Sequence, residues 1–463
     1  MSGVGDLTEL ALERATTFRG EVALPGSKSI ANRALLLGAL AEGKTRLANV
    51  PDSDDVEILL GVLPGLGVRT TARRPGGPSA GEDFPGRIVE VAGCGGPFRV
   101  DQAELMLGNA GTALRPLTAV LAASSGRFRI DGDEHMRRRP IGDLVSGLGS
   151  LGVDITGSGT DGGYPPLQLN ANGLKAGRVA LSGRVSSQYI SALLIAAPLA
   201  TADQGDAFVI DVTDEPVSKP YIDLTITMME QFGVRVEREG YRHFRVPLPQ
   251  RYRSPGTYRI EGDASAATYF LAAGALPGCG PIRVTGLTRP SLQGDLNFAE
   301  LLAGLGARVR YSGDNKAGTD STGSGGWVET HGVSGPMLAP DLDMNAMPDA
   351  AMTLAVLALF LQGTTHIRNI ANLRVKESER IRGLRTELEK LGAAVVEEED
   401  ALHITPPAGA LTPARIATYN DHRMAMAFSL ASFGTRLEIE DPGCVSKTYP
   451  DYFADFRRVC VVE

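Results

Sequence analysis

Tryptophan occurs once in this 463-residue chain, cysteine four times and histidine six times. The cysteines, Cys94, Cys279, Cys444 and Cys460, stand far apart without metal-ligand spacing, and the histidines are equally dispersed. Neither a metal site nor a disulfide framework follows from such a pattern; scattered thiols fit a reducing compartment. Long apolar runs are also missing. The longest, residues 351–361 broken only by Thr353, falls short of the roughly 20 residues needed to cross a bilayer. No basic-then-apolar segment opens the chain, so the expectation is a soluble, cytoplasmic protein. Positive charge is not in excess either: 46 Lys and Arg face 54 Asp and Glu, for a net charge of −8. That balance argues against general nucleic-acid binding, which needs a basic footprint. An anionic ligand would have to meet a local cluster of cations. The length suggests two to four domains, and 43% hydrophobic with 22% charged residues is ordinary globular composition.

What is present is repetition. Six times an apolar, helix-like run leads through a glycine into a short alternating strand: 34–40 to 45–50, 113–123 to 127–131, 190–200 to 207–212, 266–276 to 282–285, 350–361 to 366–370 and 424–433 to 436–440. The punctuating glycines, Gly43, Gly126, Gly205, Gly280, Gly363 and Gly434, recur every 71 to 83 residues. A second marker, a helix end on glycine before a valine-bearing strand, recurs between them at Gly67, Gly152, Gly233, Gly306 and Gly392. Glycine just past a helix end is the expected cap. The period exceeds that of solenoids, so each unit predicts a compact βαβ-type module. Residues 73–86 and 313–326 are Gly-, Pro- and Ser-rich and predict exposed loop insertions. Residues 247–257 hold three prolines and two arginines and predict a crossing between domains. Three modules on each side would give two similar domains with a cleft between them.

The starts of these helices carry the polar chemistry. Pro25-Gly26-Ser27-Lys28-Ser29 runs through Arg33 into the first apolar run. A turn into a helix N-terminus exposes N–H groups and suits an anion, and Lys28 and Arg33 add formal charge. It is not a nucleotide-binding P-loop, since no glycine directly precedes Lys28 and the upstream glycine is missing. Gly108 to Thr112, Ser186-Ser187-Gln188, Asp349 and Asp421-His422-Arg423 open other copies. Capping accounts for Thr112, Ser186 and Asp349 singly. It does not account for Arg423, because a cation there opposes the helix dipole. The run Asn372 to Arg380 admits two readings. Lys376 and Arg380 could share a face of a solvated helix. Alternatively Asn372 and Ser378, poor in helix interiors, mark a site directly after a strand.

Taken together, residues 24–33, 108–116, 186–188, 218–221, 347–352, 372–380, 421–426 and 446–452, in that order, resemble the EPSP synthase family of enolpyruvyl transferases. The resemblance covers about 24–453. It implies an α/β (α+β) fold of two similar domains, each of three βαβαββ repeats (an inside-out α/β barrel), with the active site in the interdomain cleft. The expected division is 1–25 plus 259–463 against 26–258. The implied reaction transfers the enolpyruvyl group of phosphoenolpyruvate to the 5-hydroxyl of shikimate 3-phosphate, releasing phosphate through a tetrahedral intermediate. It belongs to the shikimate pathway to chorismate and the aromatic amino acids, and needs no metal or organic cofactor.

Carried over by motif, Lys28, Ser29, Arg33, Ser186, Ser187, Gln188, Ser218, Tyr221, Asp349, Asn372 and Lys376 are expected to bind shikimate 3-phosphate. Lys28, Gly111, His135, Gln188, Arg380, Arg423 and Lys447 are expected to bind phosphoenolpyruvate. Asp349 is the implied base, Glu377 the implied acid at the enol methylene, and Lys28 the third catalytic group. Two polyanionic substrates suit forked Arg donors and Lys point charges. Glu377, set among cations, would ordinarily ionise easily, so desolvation on cleft closure is expected to help keep it protonatable. One turn departs from the family, which has arginine where Gly132-Asp133-Glu134-His135-Met136 places His135. Either His135 meets phosphoenolpyruvate as imidazolium, one of Arg137, Arg138 and Arg139 swings in, or binding is weaker. The herbicide glyphosate is the expected inhibitor and a monomer the expected state. The rival readings are a UDP-N-acetylglucosamine enolpyruvyl transferase and a silent anion-binding protein on the same fold. The first uses a loop cysteine that is missing near His135; the second would not require Asp349 and Glu377.

Overall fold

A computed structural model describes residues 8–203, 205–313, 326–333 and 335–462. It divides into two compact units, the first made of residues 8–27, 75–85 and 261–462 and the second of 28–74 and 86–260. The chain passes from the first to the second after Ser27 and back after Ile260, and residues 75–85 make one excursion into the first unit between those points. Residues 247–257, expected as the crossing, are instead folded into the second unit: Tyr252 is fully buried and donates to the Ile195 carbonyl at 2.9 Å.

All six expected modules are present. Their buried helices are α1 (Lys28–Leu40), α2 (Gly111–Ala122) and α3 (Ser187–Ala196) in the second unit. In the first unit they are α5 (Ala264–Ala275), α6 (Pro348–Leu357) and α8 (His422–Ser429). Each is buried along nearly its whole length and apolar apart from a few polar groups, mostly near its start, as a helix enclosed by protein must be. Two further helices, α4 (Lys219–Gln231) in the second unit and α7 (Arg380–Lys390) in the first, bury one face only. In the second unit α2 packs against α1 and α3; in the first, α6 packs against α5 and α8.

Each module also forms a small sheet of one plan, in which a parallel pair of strands is extended by antiparallel neighbours. In the second unit the orders are Thr257–Arg259, Lys44–Val50, Arg87–Ala92, Arg69–Arg73; then Gln102–Met106, Ser125–Asp131, Tyr164–Asn172, Asp154–Ser158; then Gly177–Leu181, Ala207–Val212, His243–Pro247, Glu237–Glu239. In the first unit they are Gly20–Ala23, Ile282–Thr285, Trp327–His331, Arg308–Tyr311; then Asp341–Asp343, Thr365–Arg368, Leu402–Thr405, Ala394–Glu397; then Ala414–Ile416, Leu437–Glu440, Glu9–Leu12. Register keeps one face apolar: Val284 lies opposite Val22 on one side and Val328 on the other, and all three are buried. A one-residue slip would turn every one of them outward.

The five helix-ending glycines have φ between +82° and +98°. Each donates its N–H to the carbonyl three residues back, as Gly152 does to Gly149 at 2.9 Å. Only glycine adopts that left-handed backbone without a Cβ penalty. Of the two insertions, 73–86 is largely exposed, although Glu82 is buried and accepts the Gly76 N–H at 2.6 Å. The other, 313–326, lies outside the described residues except for Gly313 and Gly326. Among the described residues no helix is long and apolar enough to cross a membrane.

Candidate active site

In the second unit the site residues gather at the starts of four helices. Lys28 is the first residue of α1; it is buried, with Nζ 3.1 Å from Asp55 Oδ2. One turn on, Arg33 donates through Nη1 to the Ser29 carbonyl and through Nε to Thr225 Oγ1, both at 2.9 Å. Its guanidinium stands 5.9 Å from the Tyr221 ring centroid. Burial pulls the Arg33 pKa down to about 10, against the opposing effect of Tyr221 and Tyr258, so the group stays cationic at neutral pH. Ser218 precedes α4 in the left-handed region at φ 55°. Such a conformation in a serine costs energy and collects at functional positions. Tyr221 follows in the first turn, and its carbonyl accepts from Thr225 Oγ1 at 2.8 Å.

The second gathering centres on Gly111, the first residue of α2. A Cβ there would come within 2.9 Å of Arg115 Nη1 and 3.0 Å of Arg139 Nη2. The missing side chain thus lets two guanidinium groups close in on the helix start. Arg115 Nη1 donates to Gln188 Oε1 at 2.7 Å, and Arg139 Nη1 to Asn109 Oδ1 at 2.8 Å. Ser186 caps α3 by accepting the Gln188 N–H at 3.2 Å; Ser187 is buried beside it. His135 is half-buried just before the short turn Met136–Arg138. Of the three arginines after it, Arg137 is bound to Asp131 at 2.7 Å and Arg138 is exposed. Arg139 is the one turned in against Gly111.

In the first unit a buried network joins the carboxylates to the arginines. Arg380 is 1% exposed and reaches three of them. Its Nη1 donates to Asp349 Oδ1 at 2.9 Å, its Nη2 to Glu377 Oε2 at 2.8 Å and its Nε to Asp421 Oδ2 at 2.7 Å. Arg423 Nη2 lies 2.8 Å from Asp349 Oδ2, and its Nη1 donates to Tyr269 Oη at 3.4 Å. Asp349 is thus clamped by two guanidinium groups. Burial by itself would push its carboxyl up, but Arg423, Lys376 and Arg380 together hold it well below the usual carboxylate range. Burial likewise opposes the charge on Arg380, while Asp421, Glu377 and Asp349 raise its pKa. Burial pushes the Tyr269 hydroxyl up to about 12 despite Arg423 nearby.

Local sequence explains these placements. Residues 371–375 form a short turn and α7 begins only at Arg380, capped by the Glu379 side chain on the Arg382 N–H. The solvated-helix reading of Lys376 and Arg380 is therefore incorrect: Lys376 precedes the helix, and Arg380 points into the carboxylates. Asn372 is buried in that turn. Arg423 at the start of α8 is answered by carboxylates, for Asp421 caps the helix by accepting the Arg423 N–H at 3.0 Å. Lys447 is buried at the end of the turn Pro442–Lys447, which packs on α8. Arg115, Asn109 and Tyr269 were not singled out from sequence as site groups; Arg139 was one of three open alternatives, and Asp421 was noted only as part of a polar helix start. A lone arginine inside the apolar run of α2 was the available signal for Arg115. Among the described residues no group of three or more His, Cys, Asp or Glu is arranged to hold a metal.

Comparison with known proteins agrees with this picture. The family model described as EPSP synthase (3-phosphoshikimate 1-carboxyvinyltransferase) matches residues 12–456. The chain is 49% identical over 460 residues to a 3-phosphoshikimate 1-carboxyvinyltransferase of Bordetella parapertussis, covering 98% of each. It is 46% identical over 454 residues to one of Marinomonas sp., covering 98% of this chain and all of the relative. An EPSP synthase structure from Acinetobacter baumannii superposes with a TM-score of 0.76 at 22% identity, over 98% of both chains. The enolpyruvyl transferase NikO from Streptomyces tendae does so with a TM-score of 0.72 at 20% identity, over 98% of this chain and 97% of that one. These two structures share the fold; the closer sequences and the full-length match establish more. The chain belongs to the EPSP synthase (3-phosphoshikimate 1-carboxyvinyltransferase) family.

Proposed function

We propose that the chain transfers the enolpyruvyl group of phosphoenolpyruvate to the 5-hydroxyl of shikimate 3-phosphate. The observation that carries this reading is the clamp on Asp349, a carboxylate kept ionised between Arg380 and Arg423 with Glu377 on the same guanidinium. A general base must be available in its unprotonated form at working pH, and this one is. Asp349 takes the proton of the 5-hydroxyl as that oxygen bonds to C2 of the enol. Glu377 delivers a proton to the C3 methylene, giving a tetrahedral intermediate. Elimination reverses the second transfer: C3 returns a proton to the Glu377 carboxylate, the C2–C3 double bond re-forms, and phosphate departs with the C–O bonding pair. Lys28, as a cation beside both substrates, offsets the charge that moves.

The remaining groups bind. Ser29, Arg33, Ser186, Ser187, Gln188, Ser218, Tyr221, Asn372 and Lys376 hold shikimate 3-phosphate, while Gly111, Gln188, Arg380, Arg423 and Lys447 hold phosphoenolpyruvate. We assign Arg139 and Arg115, beside Gly111, to supplying the cationic wall where His135 replaces the family arginine. The chain is proposed to act as a monomer, since one chain carries both sets of groups. Its proposed compartment is the cytoplasm, in keeping with four unbonded thiols. Phosphate release measured separately with shikimate 3-phosphate and with UDP-N-acetylglucosamine, each with phosphoenolpyruvate, tests the reading. Turnover with the first alone is expected; turnover with the second alone, or with neither, would reject it. Glyphosate is expected to compete with phosphoenolpyruvate in that assay.

A further inference from the structure

A further buried carboxyl feels the charges of this network. Asp295, in the short turn Gly294–Asn297, is 2% exposed and accepts a hydrogen bond from Ser265 Oγ through Oδ2. Ser265 is the second residue of α5, and Tyr269, four residues on, shares its helix face. Tyr269 accepts from Arg423, which in turn holds Asp349. One face of α5 therefore carries both the partner of Asp295 and a partner of Arg423. The same groups interact electrostatically: Asp349 and Asp263 oppose charge on Asp295, whereas Arg423 and the Ser265 hydroxyl favour it. On neighbouring elements, Asp263 caps α5 by accepting the Ala266 N–H, and Gln293 holds the Ala264 N–H and the Gly262 carbonyl. Glu300, on the helix Phe298–Gly304 that follows, accepts from the Tyr311 hydroxyl instead.

We propose that Asp295 is a positioning residue whose charge state sets how tightly Arg423 holds Asp349. When Asp295 is neutral, it does not compete with Asp349 for the Arg423 charge and the base is weak. When Asp295 is ionised, it shares the Arg423 charge and repels Asp349, which becomes the better acceptor for the substrate proton. Burial, then Asp349, raise the Asp295 carboxyl to about 6, so the change falls within the range where activity is measured. The inference rests on Asp349 being the base.

The test is the pH dependence of kcat at saturating substrates for the wild type and for Asp295→Asn, Ser265→Ala and Asp349→Asn. Wild-type kcat should fall on the acid side with an apparent pKa near 6. Asp295→Asn should lose that limb and remain about tenfold slow at about pH 8, with KM changed much less. Ser265→Ala removes a bond that favours the ionised form, so its limb should move to higher pH. A folded Asp295→Asn enzyme with the wild-type limb and rate would overturn the inference. So would an unmoved limb in Ser265→Ala, which decides the matter if Asp295→Asn does not fold. Wild-type turnover in Asp349→Asn would overturn the reading of the base itself, and with it this inference. Loss of turnover there, with unmoved limbs in the other two, would overturn this inference alone.

Discussion

At the scale of single residues, the site is a matter of which charges share a guanidinium. Asp349 has a folded-state pKa below its unfolded value of about 3.9, so its contribution to stability is present above that value and lost as pH falls through the lower, folded one. Removing one partner of a buried ionic network costs about 3 kcal/mol or more. Asp349→Asn should therefore unfold at lower urea than the wild type at neutral pH, and the gap should narrow as the pH drops below about 4. A gap that stays constant down to acid pH would mean that the clamp does not hold the ionised form. Gly111 makes a different prediction. Its Cβ would meet Arg115 and Arg139 at 2.9 and 3.0 Å, so Gly111→Ala must displace both side chains. The longer inhibitor glyphosate should suffer about tenfold more than phosphoenolpyruvate, a discrimination typical of one methylene in a fitted pocket. Inhibition and KM measured on the same preparation check it, and equal loss for both ligands would refute it.

Elements position these residues by their starts. Five of the six buried helices, α1, α2, α3, α6 and α8, carry proposed site residues at their starts, and those residues were visible as polar insertions before apolar runs. Contacts beyond the local segment were not. Lys376 and Arg380 are compatible with one helix face until the chain is seen to turn at residues 371–375, after which Arg380 opens α7 against Asp421. Ser218 illustrates the energetic side. Its left-handed backbone is unfavourable for any residue but glycine, and its hydroxyl is the group proposed to meet shikimate 3-phosphate. Ser218→Gly should leave stability unchanged or raise it by about 1 kcal/mol, because relief of strain is partly offset by a freer unfolded chain. It should also raise KM for shikimate 3-phosphate about tenfold, the worth of a hydrogen bond to a charged partner. Thermal unfolding with steady-state kinetics would show the split. A fall in both stability and affinity would contradict it.

At the scale of the whole molecule, the chain is interleaved. Glu9–Leu12 pairs with Leu437–Glu440, Gly20–Ala23 with Ile282–Thr285, and Ala15–Phe18 with Cys460–Val462, so segments before residue 28 complete the first unit. Leu10 and Leu12 are buried on the first of these strands. Deleting residues 1–12 should cost about 4 kcal/mol from those two side chains and leave the edge of Leu437–Glu440 unpaired. A clear fall in melting temperature with a tendency to aggregate is expected, and an unchanged melting temperature would show that the strand is dispensable.

Local periodicity and glycine placement by themselves determined the six modules, because a helix buried on all sides, a left-handed cap and an alternating strand are each properties of a few consecutive residues. The motifs likewise identified Lys28, Asp349, Glu377, Arg380 and Arg423 as the residues to watch. Only tertiary structure decided that Arg380 serves three carboxylates, that Arg139 rather than Arg137 or Arg138 turns toward Gly111, and that Asp295 and Asp349 feel one another's charge. Apart from Arg380 with Glu377, those pairings join residues far apart in the chain. Coulomb attraction and desolvation act through distance and burial, and neither quantity is written in the order of the residues.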